Sequence, residues 1–145
     1  MSIEILLVED SPGDVRLTQE VFRAINASIQ LHVANDGLEA MAFLRREGAH
    51  FNAPIPDLIL LDLNLPKMDG RQVLARLKED ERLQMIPTVI LSTSADHADI
   101  VRSYELQANC YLSKPVQLGE FETVVQSITD FWLKKVKLPA PESRA

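Results

Sequence analysis

The chain has a single cysteine, Cys110, among 145 residues. That excludes a framework of intramolecular disulfides, and beside Tyr111 in an apolar stretch the thiol reads as an inert core group. Basic residues are also scarce, with 15 Lys and Arg against 21 Asp and Glu and a formal net charge of -6. Nucleic acid is therefore not expected as a partner, because counterion release needs clustered cations. The one basic cluster, Lys134, Lys135 and Lys137, closes a helical segment and reads as an answer to its dipole. No apolar run approaches the roughly 18 residues of a membrane span, and the start, Met1-Ser2-Ile3-Glu4, lacks the basic region of a signal peptide. The expectation is a cytoplasmic protein with no membrane partner. His32, His50 and His97 stand at no metal-ligand spacing; His32 reads as a strand residue and the others as surface.

A composition 46% hydrophobic and 25% charged suits one globular domain. A single domain over 1–137 is expected, without a separate output domain, followed by a flexible tail at 138–145 that carries two prolines and no apolar period. Short apolar runs alternate with segments of helical period, the pattern of βα units around a parallel sheet. Strands are expected at 3–8, 30–34, 58–61, 88–91 and 109–112. Between them, helices open after Asp10-Ser11-Pro12, at Asp36-Gly37, at Asp69-Gly70, after Ser94-Ala95-Asp96 and near Val116-Gln117. Inward positions are Val15, Val21, Phe22 and Ile25 on the first, Leu38, Met41 and Leu44 on the second, and Val73, Leu74 and Leu77 on the third. The fold class is α/β: a doubly wound, five-stranded parallel sheet in order 2-1-3-4-5, flavodoxin-like, with five helices.

Three of these strands end on chemistry. Glu9-Asp10 follows the first, Asp62 follows Leu58-Ile59-Leu60-Leu61, and Lys114 comes soon after Tyr111-Leu112. The ends of parallel strands converge on one edge, where open α/β folds place their sites. Three carboxylates meeting there repel, so some take protons or a cation sits among them, and all-oxygen ligands at an accessible edge suit Mg²⁺. Lys114 supplies a compact positive charge for a phosphate oxygen, and carboxylates do serve as phosphoryl acceptors, which makes Asp62 the nucleophile and a phosphoaspartate the product. The hydroxyl of Ser92, at the end of the fourth strand, reaches for the same edge. Taken singly, Asp10 is an ordinary helix cap, Lys114 a surface lysine and Ser92 turn chemistry; their joint placement is what points to a site. Taken alone, the Lys114-Pro115 bond is better read as trans.

With these residues in view the chain resembles the receiver domains of bacterial two-component response regulators, the CheY-like family, over about 3–131. The motifs that carry it are Val8-Glu9-Asp10-Ser11, Leu61-Asp62-Leu63-Asn64-Leu65-Pro66-Lys67-Met68-Asp69-Gly70, Val89-Ile90-Leu91-Ser92 and Tyr111-Leu112-Ser113-Lys114-Pro115. The resemblance implies that Asp62 accepts phosphate from a histidine kinase and that Glu9, Asp10, Asp62 and the backbone carbonyl of Asn64 hold Mg²⁺. It implies that Ser92 and Lys114 bind the phosphoryl group, and that the Lys114-Pro115 bond is cis, against the general preference. Ser92 and Tyr111 match its switch positions, with the readout on the face of helix four, strand five and helix five, and Asn64 and Ser94 flank the water path that sets the phosphoryl lifetime. Two departures stand out. Ser92 replaces the commoner threonine, losing a methyl that restricts its rotamer. Gln107 replaces a glycine at the end of helix four, where a left-handed backbone costs a residue with Cβ roughly 1 kcal/mol, so that helix is expected to end differently. The stretches Asp10-Ser11-Pro12-Gly13-Asp14-Val15-Arg16-Leu17-Thr18 and Ser92-Thr93-Ser94-Ala95-Asp96-His97-Ala98-Asp99-Ile100 resemble the stand-alone receivers that partner phytochrome-type histidine kinases.

The last helix adds a surface. Leu118, Phe121, Val124, Val125, Ile128, Phe131, Trp132, Leu133 and Val136 spread over about 220°, wider than a stripe facing one core needs. Phe131, Trp132 and Leu133 cannot all point inward, and a homodimer through this face, or docking to the kinase, is the expectation. Competing functions fare worse. A haloacid-dehalogenase-type phosphohydrolase wants a second acid two residues after its nucleophile, where this chain has Asn64. A flavin carrier wants a Ser/Thr/Gly-rich loop after strand one, where Glu9-Asp10 repels phosphate. A receiver that binds partners without phosphorylation remains as the alternative. The chain is thus expected to be no enzyme beyond phosphorylating itself from small donors and losing that phosphate.

Overall fold

Strands four to six residues long, mostly apolar, build the sheet. In the computed structural model, which describes residues 3–25, 29–93, 96–115 and 117–133, the strands are β1 (Ile3–Val8), β2 (Ile29–Ala34), β3 (Leu58–Leu61), β4 (Thr88–Ser92) and β5 (Cys110–Ser113). They form one parallel sheet in the order β2-β1-β3-β4-β5, as the sequence implied, with β2 and β4 one residue longer than expected and β5 shifted by one. Every side chain of Leu58-Ile59-Leu60-Leu61 is wholly buried. A strand this apolar has to be central, since each such side chain contributes roughly 1.5–3 kcal/mol only when both faces are covered.

Five helices cover those faces: α1 (Pro12–Ile25), α2 (Gly37–Arg45), α3 (Gly70–Glu79), α4 (His97–Glu105) and α5 (Leu118–Ile128). Alternation along the strands divides the core in two. Leu6, Val8, Ile59, Leu61 and Ile90 pack with Met41 and Leu44 of α2 and with Val73, Leu74 and Leu77 of α3. Ile5, Leu7, Leu58, Leu60, Val89 and Leu91 pack with Phe22 of α1 and with Phe121, Val125 and Ile128 of α5. Among the described residues no helix is long and apolar enough to cross a membrane.

Two expectations about helices are corrected. Leu38 is not an inward residue but 52% exposed. The buried stripe of α2 runs through Gly37, Ala40, Met41 and Leu44, and Leu38 lies about 100° around the helix from Gly37, off that stripe. Helix α4, expected to end differently with Gln107 in place of glycine, ends in the ordinary left-handed way. Gln107 takes φ 68°, its N–H donates to the Tyr104 carbonyl, and the Ala108 N–H donates to that of Ser103. The two bonds hold the carbonyls of the last turn, at the steric cost of a Cβ.

After α5 the chain continues as a π-helical stretch, Thr129–Leu133. Here Trp132 turns in against the core of the α1/α5 side, while Phe131 points out, 55% exposed, with its ring edge-on to the indole at 5.7 Å. The side chains of Ile25, Leu118 and Leu133, and all of 134–145 with the basic cluster and Val136, lie outside the described residues.

Candidate functional site

Strand register fixes where the functional side chains emerge. Val8 of β1 lies opposite Leu61 of β3, Leu61 opposite Ile90 of β4, and Ile90 opposite Tyr111 of β5. Glu9, Asp62, Ser92 and Lys114 therefore leave the sheet along one edge, at the carboxyl ends of the strands. The chain reverses its direction of winding between β1 and β3, and open α/β sheets carry their crevice at that switch.

Backbone bonds hold the end of β3 in place. The Asp62 N–H donates to the Val8 carbonyl at 3.0 Å, and the Asn64 N–H donates to Asp62 Oδ1 at 3.3 Å. The Gly70 N–H then closes the loop onto the Leu63 carbonyl at 2.9 Å, and Asp69 begins α3 with a capping box to Gln72. Gly70 sits so close that a Cβ there would lie 2.2 Å from the Asp62 carbonyl oxygen. On the other side Gly37 packs its Cα against the backbone of Met68. The 62–70 loop is thus clamped between the starts of α2 and α3.

Glu9, Asp10 and Asp62 each bring a carboxylate oxygen within 4.8 Å of the others. Glu9 and Asp62 are buried, Asp10 exposed. The burial has an electrostatic consequence. Loss of solvent pushes the Glu9 carboxyl up to about 7, Lys114 only partly offsetting it, and the neighbouring Asp62 charge adds to the rise. Three hard oxygen donors with one open to solvent fit a small divalent cation that keeps several waters.

Lys114 lies at the centre. Its buried Nζ donates to Glu9 Oε1, to Asp62 Oδ2 at 3.1 Å and to Asp14 Oδ2 at 3.0 Å. Burial alone would lower its proton affinity, yet the bond to Glu9 and the charges of Glu9 and Asp62 raise it well above the ordinary lysine range. Its backbone N–H donates to the Ser92 carbonyl at 2.7 Å, tying the lysine to the strand end that carries the hydroxyl. Ser92 is wholly buried. Tyr111 is half-buried and packs against the core on the α2/α3 side.

The edge thus gathers Glu9, Asp10, Asp62, Ser92 and Lys114, as the sequence suggested. Asn64 is exposed beside Asp62, and Ser94 lies outside the described residues. One expectation is corrected: among the described residues no peptide bond is cis, so Lys114-Pro115 is trans. Trans is the lower-energy isomer for an X-Pro bond, and the lysine reaches the carboxylates without the other. Two participants were not anticipated. Asp14 bonds Lys114 from the first turn of α1. Arg71, one residue into α3, donates through NH1 to Asp69 Oδ2 at 2.9 Å and through NH2 to Asp99 Oδ1 of α4 at 2.6 Å. Each carries only an ordinary sequence signal, an acid in a first turn and a cation near an acid.

Chemically, the arrangement offers a carboxylate nucleophile, a cation site and a fixed ammonium. Residues 5–126 match the family model described as the response regulator receiver domain. Response regulator Rcp1 of Synechocystis sp. is 52% identical over 136 residues, covering 94% of this chain and 92% of that protein. A crystal structure of the Mn²⁺-bound form of Rcp1 superposes with a TM-score of 0.92 at 51% identity, over 95% of this chain and 99% of that one. The phosphorylated cyanobacterial phytochrome response regulator RcpA gives a TM-score of 0.94 at 48% identity, over 97% and 100% of the two chains.

Proposed function

The chain belongs to the response regulator receiver domain family, and from that membership we propose that it is a signalling receiver that takes a phosphoryl group from a histidine kinase onto Asp62. The observation that carries the proposal is the buried Asp62 carboxylate with Lys114 Nζ 3.1 Å from one of its oxygens.

An Asp62 carboxylate oxygen attacks the phosphorus of a phosphohistidine. A P–O bond forms, the donor's P–N bond breaks, and the imidazole leaves with the electron pair. The product is an acyl phosphate. As the charge moves, one Lys114 N–H donates to a phosphoryl oxygen, and the Ser92 hydroxyl donates to another. Glu9, Asp10, Asp62 and the Asn64 carbonyl would hold Mg²⁺, which when bound offsets the negative charge of the incoming group. Asn64 neither protonates a leaving group nor activates water, so the phosphoprotein persists and the chain signals rather than hydrolyses substrates. Asn64 and Ser94 tune how long it lasts.

The bound phosphoryl group biases Ser92 and Tyr111 and with them the face of α4, β5 and α5. That face carries exposed Val101 and Tyr104 on α4 and exposed Phe131 after α5, and Phe131 with Cys110, Leu112, Ile128 and Trp132 lines a cavity of about 170 Å³. It is the surface for a homodimer. The resemblance to RcpA supports a phytochrome-type kinase as donor, and the acidic balance of the chain supports a cytoplasmic protein acting on protein partners, not on nucleic acid or membrane. Transfer of labelled phosphate from an autophosphorylated phytochrome-type histidine kinase tests the pairing. Label on the native chain but not on Asp62→Asn is the expected result; transfer to neither removes that partner. Sedimentation showing only monomer at high micromolar concentration, with and without phosphate, removes the dimer.

A further inference from the structure

A lysine ammonium has three N–H donors and no acceptor. On Lys114 all three are taken, by Glu9, Asp62 and Asp14. An oxygen of an incoming phosphoryl group has to displace one of them. The three carboxylates are not equivalent. Glu9 and Asp62 lie in the acidic triad, and their side chains are 3% and 9% exposed. Asp14 stands outside that triad, and its side chain is 33% exposed. It reaches Lys114 from the other end of the chain, fixed in the first turn of α1 by the Ser11 Oγ bond to its N–H and by the Thr18 hydroxyl on its carbonyl. Water compensates Asp14 more readily than either buried acid when the ammonium turns away. The donor given up to the phosphoryl group is therefore the one on Asp14.

We propose that Asp14 is a positioning residue for phosphoryl transfer: it holds the third N–H of Lys114 at the mouth of the pocket and competes with the phosphoryl donor for it. This rests on Asp62 being the acceptor. While charged, Asp14 keeps Lys114 engaged and repels a dianionic donor, so it sets the donor concentration the site requires. It does not touch the reacting atoms, so the rate at saturation is left nearly alone.

The test follows phosphoprotein formation by intact mass across a range of acetyl phosphate concentrations with Mg²⁺, on the native chain, Asp14→Asn, Asp14→Glu and Asp62→Asn. Removing the charge but keeping the shape in Asp14→Asn lowers the half-saturating donor concentration by about three- to ten-fold, with the maximal rate within about two-fold of native. Asp14→Glu, which keeps the acid, stays within about two-fold of native in both. An unchanged or raised half-saturating concentration in Asp14→Asn overturns the proposal. So does an equal fall in Asp14→Glu, which would trace the effect to packing. If the native chain gains no phosphoryl group, or Asp62→Asn gains one as readily, the failure lies with Asp62 as acceptor.

Discussion

A Cβ placed on Gly70 would lie 2.2 Å from the carbonyl oxygen of Asp62 and 2.7 Å from the Cα of Leu63. Both obstacles are backbone, at Asp62 and the residue after it. Gly70→Ala therefore strains the site and not merely a helix start. A loss of about 1–3 kcal/mol in urea unfolding is expected, together with slower phosphorylation of Asp62. A variant as stable as the native chain would show that the loop yields without cost.

Burial raises Glu9 from 4.5 to about 7, and the sign of its effect on stability follows. The folded state binds this proton more tightly than the unfolded chain. Its contribution is complete below about pH 4.5 and is lost as pH rises through about 7, for at most about 3 kcal/mol. With chelator present, the native chain is expected to lose stability between pH 5 and pH 8 relative to Glu9→Gln, which has no such proton. Mg²⁺ reduces that loss because a cation binds the carboxylate form. Parallel pH profiles for the two chains would remove Glu9 as the titrating group.

Arg71 ties the start of α3 to the first turn of α4 through Asp69 and Asp99. It is 28% exposed on its side chain, so the network is worth about 1 kcal/mol. Arg71→Met is expected to speed hydrogen exchange in α4 by about five-fold while leaving β1 and β3 unchanged. Exchange in α4 at the native rate would mean that the ion pairs do not restrain the helix.

Much of this architecture is legible because its signals are local. Leu58-Ile59-Leu60-Leu61 followed by Asp62 announces a central strand with a carboxylate at its end, and Asp69-Gly70 announces the helix that follows. Parallel pairing then brings together Glu9 and Lys114, 105 positions apart, without any further information. Leu38 was misplaced because the apolar period of α2 is anchored by Gly37 and Ala40, small residues that a search for large side chains passes over. Asp14 was hidden for another reason. An acid in the first turn of a helix is ordinary dipole chemistry, and only the reach of the Lys114 side chain to the first turn of α1 gives it a partner. The isomer of the Lys114-Pro115 bond leaves no mark in residue type at all.

The central claim is that Asp62 is a cation-dependent phosphoryl acceptor, and intact mass after incubation with acetyl phosphate tests it most directly, on the native chain and Asp62→Asn, each with Mg²⁺ or with chelator. The account predicts a gain of one phosphoryl group on the native chain with Mg²⁺ alone, and none on Asp62→Asn. An equal gain on both chains, or one indifferent to chelator, would contradict it.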